Sequence, residues 1–185
     1  MSIRDLTRIG VFSALTVVLA QIVIPLPFTP VPLTLSLAAV FLTGILLPPK
    51  SAFYAQAVYL ALGAVGLPVF HGFTGGFSRL IGPTGGYLTA YPIMALIVAC
   101  FVRLSDKRPG RKAAGRLAFV FGGHLIALIS CYFLGTLWLS FVSRVTFVQA
   151  LAMAVYPFIA LDLIKIFVCV LCVYPLRGRI NAVYN

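Results

Sequence analysis

Six apolar runs divide this chain, each closed by proline, glycine or a small cluster of basic residues. They lie roughly at 9–24, 33–47, 51–66, 85–102, 117–141 and 148–176. A helix that crosses a bilayer needs about 20 apolar residues, within about 17–25. The pattern therefore predicts an all-α integral membrane protein of six transmembrane helices, in one membrane-embedded domain over 1–185. The second and third runs are short and are joined by Pro48-Pro49-Lys50, which predicts a tight turn and a helical hairpin. Pro25, Pro27, Pro30 and Pro32 follow the first run. Proline removes a backbone donor and fixes φ, so this stretch predicts the end of the first helix and a stiff extended connection.

Composition agrees with the pattern. Of 185 residues, 62% are hydrophobic and 9% charged, where a soluble domain has about 45–50% and about 25%. Mean hydropathy is +1.10. Too little polar surface remains to coat a soluble particle, which excludes a soluble enzyme, a disordered tail and a secreted disulfide scaffold.

The 14 Lys and Arg against 3 Asp and Glu would suggest nucleic acid in a soluble protein. Here the basic residues sit between apolar runs, where they orient helices, and nucleic acid is not expected. With the N-terminus in the cytoplasm, the inner side holds Arg4, Arg8, Lys50, Arg103, Lys107, Arg108, Arg111, Lys112, Arg116, Arg177 and Arg179. Arg79 and Arg144 fall outside and Lys165 lies within a span. This asymmetry predicts both termini in the cytoplasm, with anionic lipid meeting the inner cluster. Arg4, Arg8 and the apolar stretch to Val18-Leu19-Ala20 also fit a signal peptide. An uncleaved first span keeps the helix number even and the charge balance intact.

Polar chemistry is sparse. Seven glycines (66, 72, 75, 76, 82, 85 and 86) fall between residues 66 and 88. Phe70, Phe73, Phe77 and Tyr87 are interleaved with them. Glycine allows φ > 0 and close backbone approach. The apolar content predicts an outer loop, 67–84, folded back over the bundle as the cap of a ligand pocket. Gly82-Pro83-Thr84-Gly85-Gly86 lacks the Lys-Ser/Thr of a phosphate-binding loop, so energy from ATP has to come from another subunit, or transport from an ion gradient.

Asp162 and Lys165 share a face of the last helix at i, i+3. A carboxylate within a span is costly and by default functional, and Pro157 can loosen the helix before it. Ligand recognition, a buried pair that only locks helices, and proton coupling all fit those residues. His71 and His124 are weak signals, with no nucleophile motif to accompany them. Cys100, Cys131, Cys169 and Cys172 lie within apolar runs without a zinc-type partner set. Neither metal nor cofactor is expected. Gly10 and Ala14 form a small-xxx-small pair that lets another helix approach closely.

Phe73-Thr74-Gly75-Gly76, with Leu80-Ile81-Gly82-Pro83-Thr84-Gly85-Gly86-Tyr87-Leu88, resembles the signature of the BioY family. Pro25-Leu26-Pro27 with Val31-Pro32, Leu134-Gly135-Thr136 with Trp138-Leu139, and Asp162-Leu163-Ile164-Lys165 are similar to that family's layout in the same order. The resemblance implies a six-helix substrate-binding (S) component of an energy-coupling-factor (ECF) transporter. Such a component binds biotin on the outer side and works with the transmembrane coupling protein EcfT and cytoplasmic ABC-type ATPases, without enzymatic activity of its own. The family's AxxxA contact with the coupling protein falls on Gly10 and Ala14. His71 and Arg79 depart from residues usual in the family.

With the resemblance in view, the expected ligand-binding residues are Phe73, Gly75, Gly76, Ser78, Arg79, Gly82, Thr84, Gly85, Gly86, Tyr87, Asp162 and Lys165. Asp162 is the natural acceptor for urea N–H groups, and Lys165 or Arg79 is the cation for the urea carbonyl or the tail carboxylate. An S component for another vitamin and a stand-alone proton-coupled secondary transporter are the alternatives.

Overall fold

The computed structural model describes residues 2–24, 31–107 and 112–177. The expected connection at Pro25, Pro27 and Pro30, and the basic residues Arg108, Arg111 and Arg179, lie outside the described residues.

Helix α1, Ile3–Ala20, starts earlier than its apolar run. A capping box explains this: Ser2 Oγ accepts from the Asp5 N–H, and the Ser2 N–H donates to Asp5 Oδ2 at 3.0 Å. Such a cap satisfies donors that the first turn leaves unpaired. The same helix ends at Ala20 rather than at 24. Val23–Ile24 (β1) instead pairs antiparallel with Leu33–Thr34 (β2), with Val23 opposite Thr34. This replaces the all-helical expectation with a small ribbon at that end.

Helix α2, Ser36–Leu46, and α3, Pro49–Ala64, form the expected hairpin, with Pro49 in the first turn where a missing N–H costs nothing. A five-residue helix, α4 (Phe77–Ile81), sits within the loop. Next come α5, Gly85–Asp106, and α6, Ala113–Ser143. The expected last span breaks in two. Helix α7, Phe147–Ala154, is capped by Thr146 and Gln149. After a turn containing Pro157, α8 runs Ile159–Val168 and passes through a π-helical turn, Cys169–Val173. Proline cannot donate to the helix ladder, so the chain re-enters as a new helix at Ile159.

Among the described residues, three helices are long and apolar enough to cross a membrane: Gly85–Asp106, Ala113–Ser143 and Ile159–Arg177. At about 1.5 Å per residue, the 11 residues of α2 reach only about half of a hydrocarbon core about 30 Å thick. The β ribbon and the loop occupy the space beyond its end. Irregular backbone at such a level is tolerated where protein buries it.

Helix α5 is the spine, packed on α6, α3 and α2, while α1 packs on α3. Val40, Phe41, Tyr59, Met94 and Val98 are fully buried there. A Cβ on Gly44 would lie 2.6 Å from Val98, so only glycine lets α2 and α5 meet this closely. Ile129, Phe133, Phe141 and Phe167 point outward, as apolar side chains do when the solvent is lipid. Inside, Gln56 Nε2 donates to Thr16 Oγ1 at 3.0 Å and to Thr43 Oγ1 at 2.9 Å, tying α3 to α1 and α2.

Candidate functional site

Charge enters the bundle interior on α8. Lys165 Nζ lies 2.8 Å from Asp162 Oδ1, and Asp162 is only 4% exposed. Two partners from distant segments hold the pair. Tyr132 Oη on α6 donates to Asp162 Oδ2 at 2.6 Å, and Lys165 Nζ donates to the Thr34 carbonyl of β2 at 2.9 Å. The lysine has three N–H donors, and two are used here. A carboxylate has about four lone-pair positions, so Asp162 also retains acceptor capacity.

These groups line a cleft of about 440 Å³, walled by Leu37, Tyr87, Tyr91, Cys131 and Phe158. A second chamber of about 350 Å³ continues from it, sharing Val31, Pro32, Thr34, Tyr87 and Tyr91, and adding Tyr59, His71 and Thr84. The walls are locked by hydrogen bonds. Tyr91 Oη and Ser36 Oγ are 2.8 Å apart, Ser36 Oγ and Thr34 Oγ1 2.6 Å, and Tyr87 Oη and Thr136 Oγ1 3.0 Å. The Tyr87 ring lies flat on α6 because residue 135 is glycine; a Cβ there would be 2.2 Å from the ring. Tyr59 Oη is buried without a hydrogen-bond partner. Burial lowers the His71 pKa below its usual 6.5, and the Arg79 charge lowers it further, so this histidine is neutral at pH 7.

The loop is pinned from beneath by Gln21, at the end of α1. Its Nε2 donates to the carbonyls of Val69 and Phe70, each at 3.2 Å, and its Oε1 accepts from the Phe73 N–H at 2.9 Å. That last bond holds Phe73 at φ 54°, a left-handed backbone rare for an aromatic residue. The Phe70 ring fills the space above Gly63 and meets Tyr59 edge-on at 5.5 Å.

The expected site residues thus fall into groups. Asp162, Lys165 and Tyr87 meet in the first cleft, and Thr84 lines the second chamber. Gly75 packs on the Leu67 carbonyl, Gly85 on that of Leu80 and Gly86 on Trp138. Gly82 accepts from Trp138 Nε1 at 2.9 Å, and the Gly76 N–H donates to Gly63 at 2.7 Å. Phe73, Ser78 and Arg79 carry exposed side chains and line neither chamber. Gly10 and Ala14 are exposed on the outer face of α1, beside Val11 and Val18.

His124 is buried, with Nδ1 2.8 Å from the Val120 carbonyl and its ring 5.2 Å from Phe41. Among the described residues, no cluster of His, Cys, Asp or Glu could hold a metal ion. Tyr132, Tyr91 and Thr34 are site residues that sequence reasoning did not single out. A hydroxyl within an apolar run was the one signal available for the two tyrosines.

Comparison with known proteins gives one consistent result. The family model described as "BioY family" matches residues 1–182. The biotin transporter BioY of Thermotoga maritima is 37% identical over 174 residues, 94% of this chain and 96% of that protein. Biotin transporter BioY2 of Lactococcus lactis is 36% identical over 163 residues, 87% of this chain and 83% of the relative. The crystal structure of the S-component for biotin from an ECF-type ABC transporter superposes with a TM-score of 0.83 at 31% identity. The match covers 95% of this chain and 92% of that one.

Proposed function

This chain belongs to the BioY family, and from that membership we propose that it binds biotin and delivers it across the membrane as the S component of an ECF transporter. It is a membrane transport protein, not an enzyme. The observation that carries the ligand assignment is the Asp162–Lys165 pair, braced by Tyr132 and Thr34 at the wall of an apolar cleft. Biotin carries two urea N–H donors, a urea carbonyl, an apolar thioether ring and a carboxylate tail. Asp162 accepts the urea N–H groups and the remaining Lys165 N–H meets an oxygen of the ligand. The tyrosine walls cover the rings, and the second chamber, with Thr84, His71 and Tyr59, takes the far end. Phe73, Gly75, Gly76, Ser78, Arg79, Gly82, Gly85 and Gly86 act as parts of the cap that closes over this ligand.

The finer architecture we infer is one domain of six spans in the cell membrane, with both termini in the cytoplasm and the loop outside. Helices shorter than the bilayer are supported by the ribbon and loop that continue them. EcfT and a pair of ABC-type ATPases supply the energy, and Gly10 and Ala14 form the smooth face on which the coupling protein packs. Nothing lies within 4 Å of a Cβ placed on Gly10, which suits close helix approach.

Binding of labelled biotin by the purified chain tests the ligand; retention of another vitamin in its place would overturn it. A Gly10→Leu, Ala14→Leu variant tests the partner face. Biotin binding should persist, while co-purification with the coupling protein and uptake are lost. Normal complex yield and uptake would remove that assignment. Uptake without any ATPase, abolished by collapsing the proton gradient, would instead indicate a secondary transporter.

A further inference from the structure

The loop between α3 and α4 contains a strained turn. The Phe70 N–H donates to the Thr74 carbonyl at 2.9 Å, and the Thr74 N–H donates to the Phe70 carbonyl at 3.3 Å. Between them Gly72 and Phe73 follow one another in the left-handed region, at φ 67° and 54°. Glycine adopts this backbone freely. An aromatic residue does so only at a cost, and burial of the ring does not offset it, because Phe73 is 73% exposed. Strain of this kind persists only where other contacts hold it. Those contacts come from Gln21. Its two amide N–H donors are shared among the carbonyls of Val17, on its own helix, and of Val69 and Phe70, all at 3.2 Å. Its Oε1 accepts from the N–H of the strained residue itself. The end of α1 is a firm anchor, since the next residue, Ile22, accepts from the Leu35 N–H at 3.3 Å and the ribbon begins at Val23. Ala20, beside Gln21, and His71, beside Phe70, both line the second chamber, so the tie joins two walls of that chamber.

We propose that Gln21 is the positioning residue that keeps this turn closed over the second chamber, and that the strain at Phe73 works against it, so that the two together set how fast ligand enters and leaves. Gln21 touches no ligand. It acts through the backbone of residues 69–73, and hence through His71. When its bonds to the loop break, Phe73 relaxes to ordinary backbone and the turn moves off the chamber with His71. The inference rests on the reading that the two chambers hold biotin.

Dissociation of labelled biotin from the purified full chain tests this, together with amide exchange over 69–76 measured without ligand. Gln21→Leu should speed dissociation by about tenfold, the scale of lost side-chain hydrogen bonds. It should also speed exchange in the turn while leaving that of α5 unchanged. At position 73 two variants delete the ring alike. Asparagine tolerates the left-handed region and valine resists it, so biotin should leave Phe73→Asn more slowly than Phe73→Val, by about tenfold. If Gln21 only finished α1, Gln21→Leu would melt at a lower temperature and release biotin at the parent rate. Parent-rate dissociation from a folded Gln21→Leu variant, or equal rates in Phe73→Asn and Phe73→Val, would overturn the proposal. A parent chain that binds no biotin would refute the ligand reading by itself. Amide exchange then decides the tie alone: acceleration confined to the turn in Gln21→Leu upholds it, and parent-like exchange removes it.

Discussion

Two of the buried polar clusters among the described residues differ in how fully the protein satisfies them. The Thr16–Gln56–Thr43 cluster joins three helices, is neutral, and sits among tightly packed apolar neighbours. Gln56, Thr16 and Thr43 are each 0% exposed, and both amide N–H groups of Gln56 have partners. The Tyr132–Asp162–Lys165–Thr34 cluster joins α6, α8 and β2, carries both signs of charge, and borders a cleft. The first satisfies its members within the protein; the second leaves one lysine donor and part of a carboxylate unspent. A closed polar cluster in a membrane bundle holds helices together, whereas an open one has the unspent donors and acceptors that the proposed recognition of biotin requires. The contrast makes separable predictions for affinity and stability.

The largest effect is expected in the open cluster. Asp162→Asn keeps shape but replaces an anionic acceptor. A charged hydrogen bond contributes about 1.5–3 kcal/mol, so biotin affinity should fall by about one to two orders of magnitude. Lys165→Ala should weaken binding as well, and the two losses should not add, since each strands the other charge. Full-strength binding by a folded Asp162→Asn, Lys165→Ala double variant would reduce the open cluster to a second piece of glue.

Next comes Tyr132→Phe. It removes the hydroxyl that fixes Asp162 Oδ2 and keeps the ring. A loss of about tenfold in biotin affinity is expected, at the lower end of the range for hydrogen bonds to charge. Thermal stability should change little, because the residue is partly exposed. The same affinity in parent and variant, measured by titration calorimetry, would show that Asp162 is oriented by α8 alone.

The closed cluster should behave in the reverse way. Gln56→Leu is expected to lower stability by about 1 kcal/mol, the scale found for side-chain hydrogen bonds in bundles, with biotin affinity unchanged. Parallel melting and binding measurements decide this, and a variant with normal melting but impaired binding would erase the distinction.

The smallest effect concerns pH. His71 is held neutral, its pKa below 6.5 because of burial and then Arg79. The open loop titrates at the ordinary value and therefore binds more protons than the closed one at mildly acidic pH. Closure is thus unaffected above about pH 7 and loses stability as pH falls below about 6.5. Amide-exchange protection over 66–76 should decline from pH 7.5 to 5.5, after correction for intrinsic rates, and His71→Gln should flatten the decline. A rise in protection on acidification would contradict the buried, neutral histidine.

How much of this was legible in the chain depends on distance along it. The membrane character, the basic residues at one end of the helices, the α2–α3 hairpin and the Asp162–Lys165 pair follow from local sequence. Apolar length is matched to a solvent, and i, i+3 spacing places two side chains together before any tertiary contact forms. Boundaries followed less well. The ribbon at Val23–Ile24 and Leu33–Thr34 and the break before Ile159 fall inside apolar runs, where helix, strand and turn are equally hydrophobic and only neighbours choose among them. The brace of the ion pair was invisible for a related reason. Tyr132 stands 30 residues from Asp162, and Thr34 stands 131 from Lys165. In lipid-compatible sequence, which helix faces meet is decided by fit between shapes such as Gly135 under Tyr87 and Gly44 against Val98, and that fit exists only once the helices have packed.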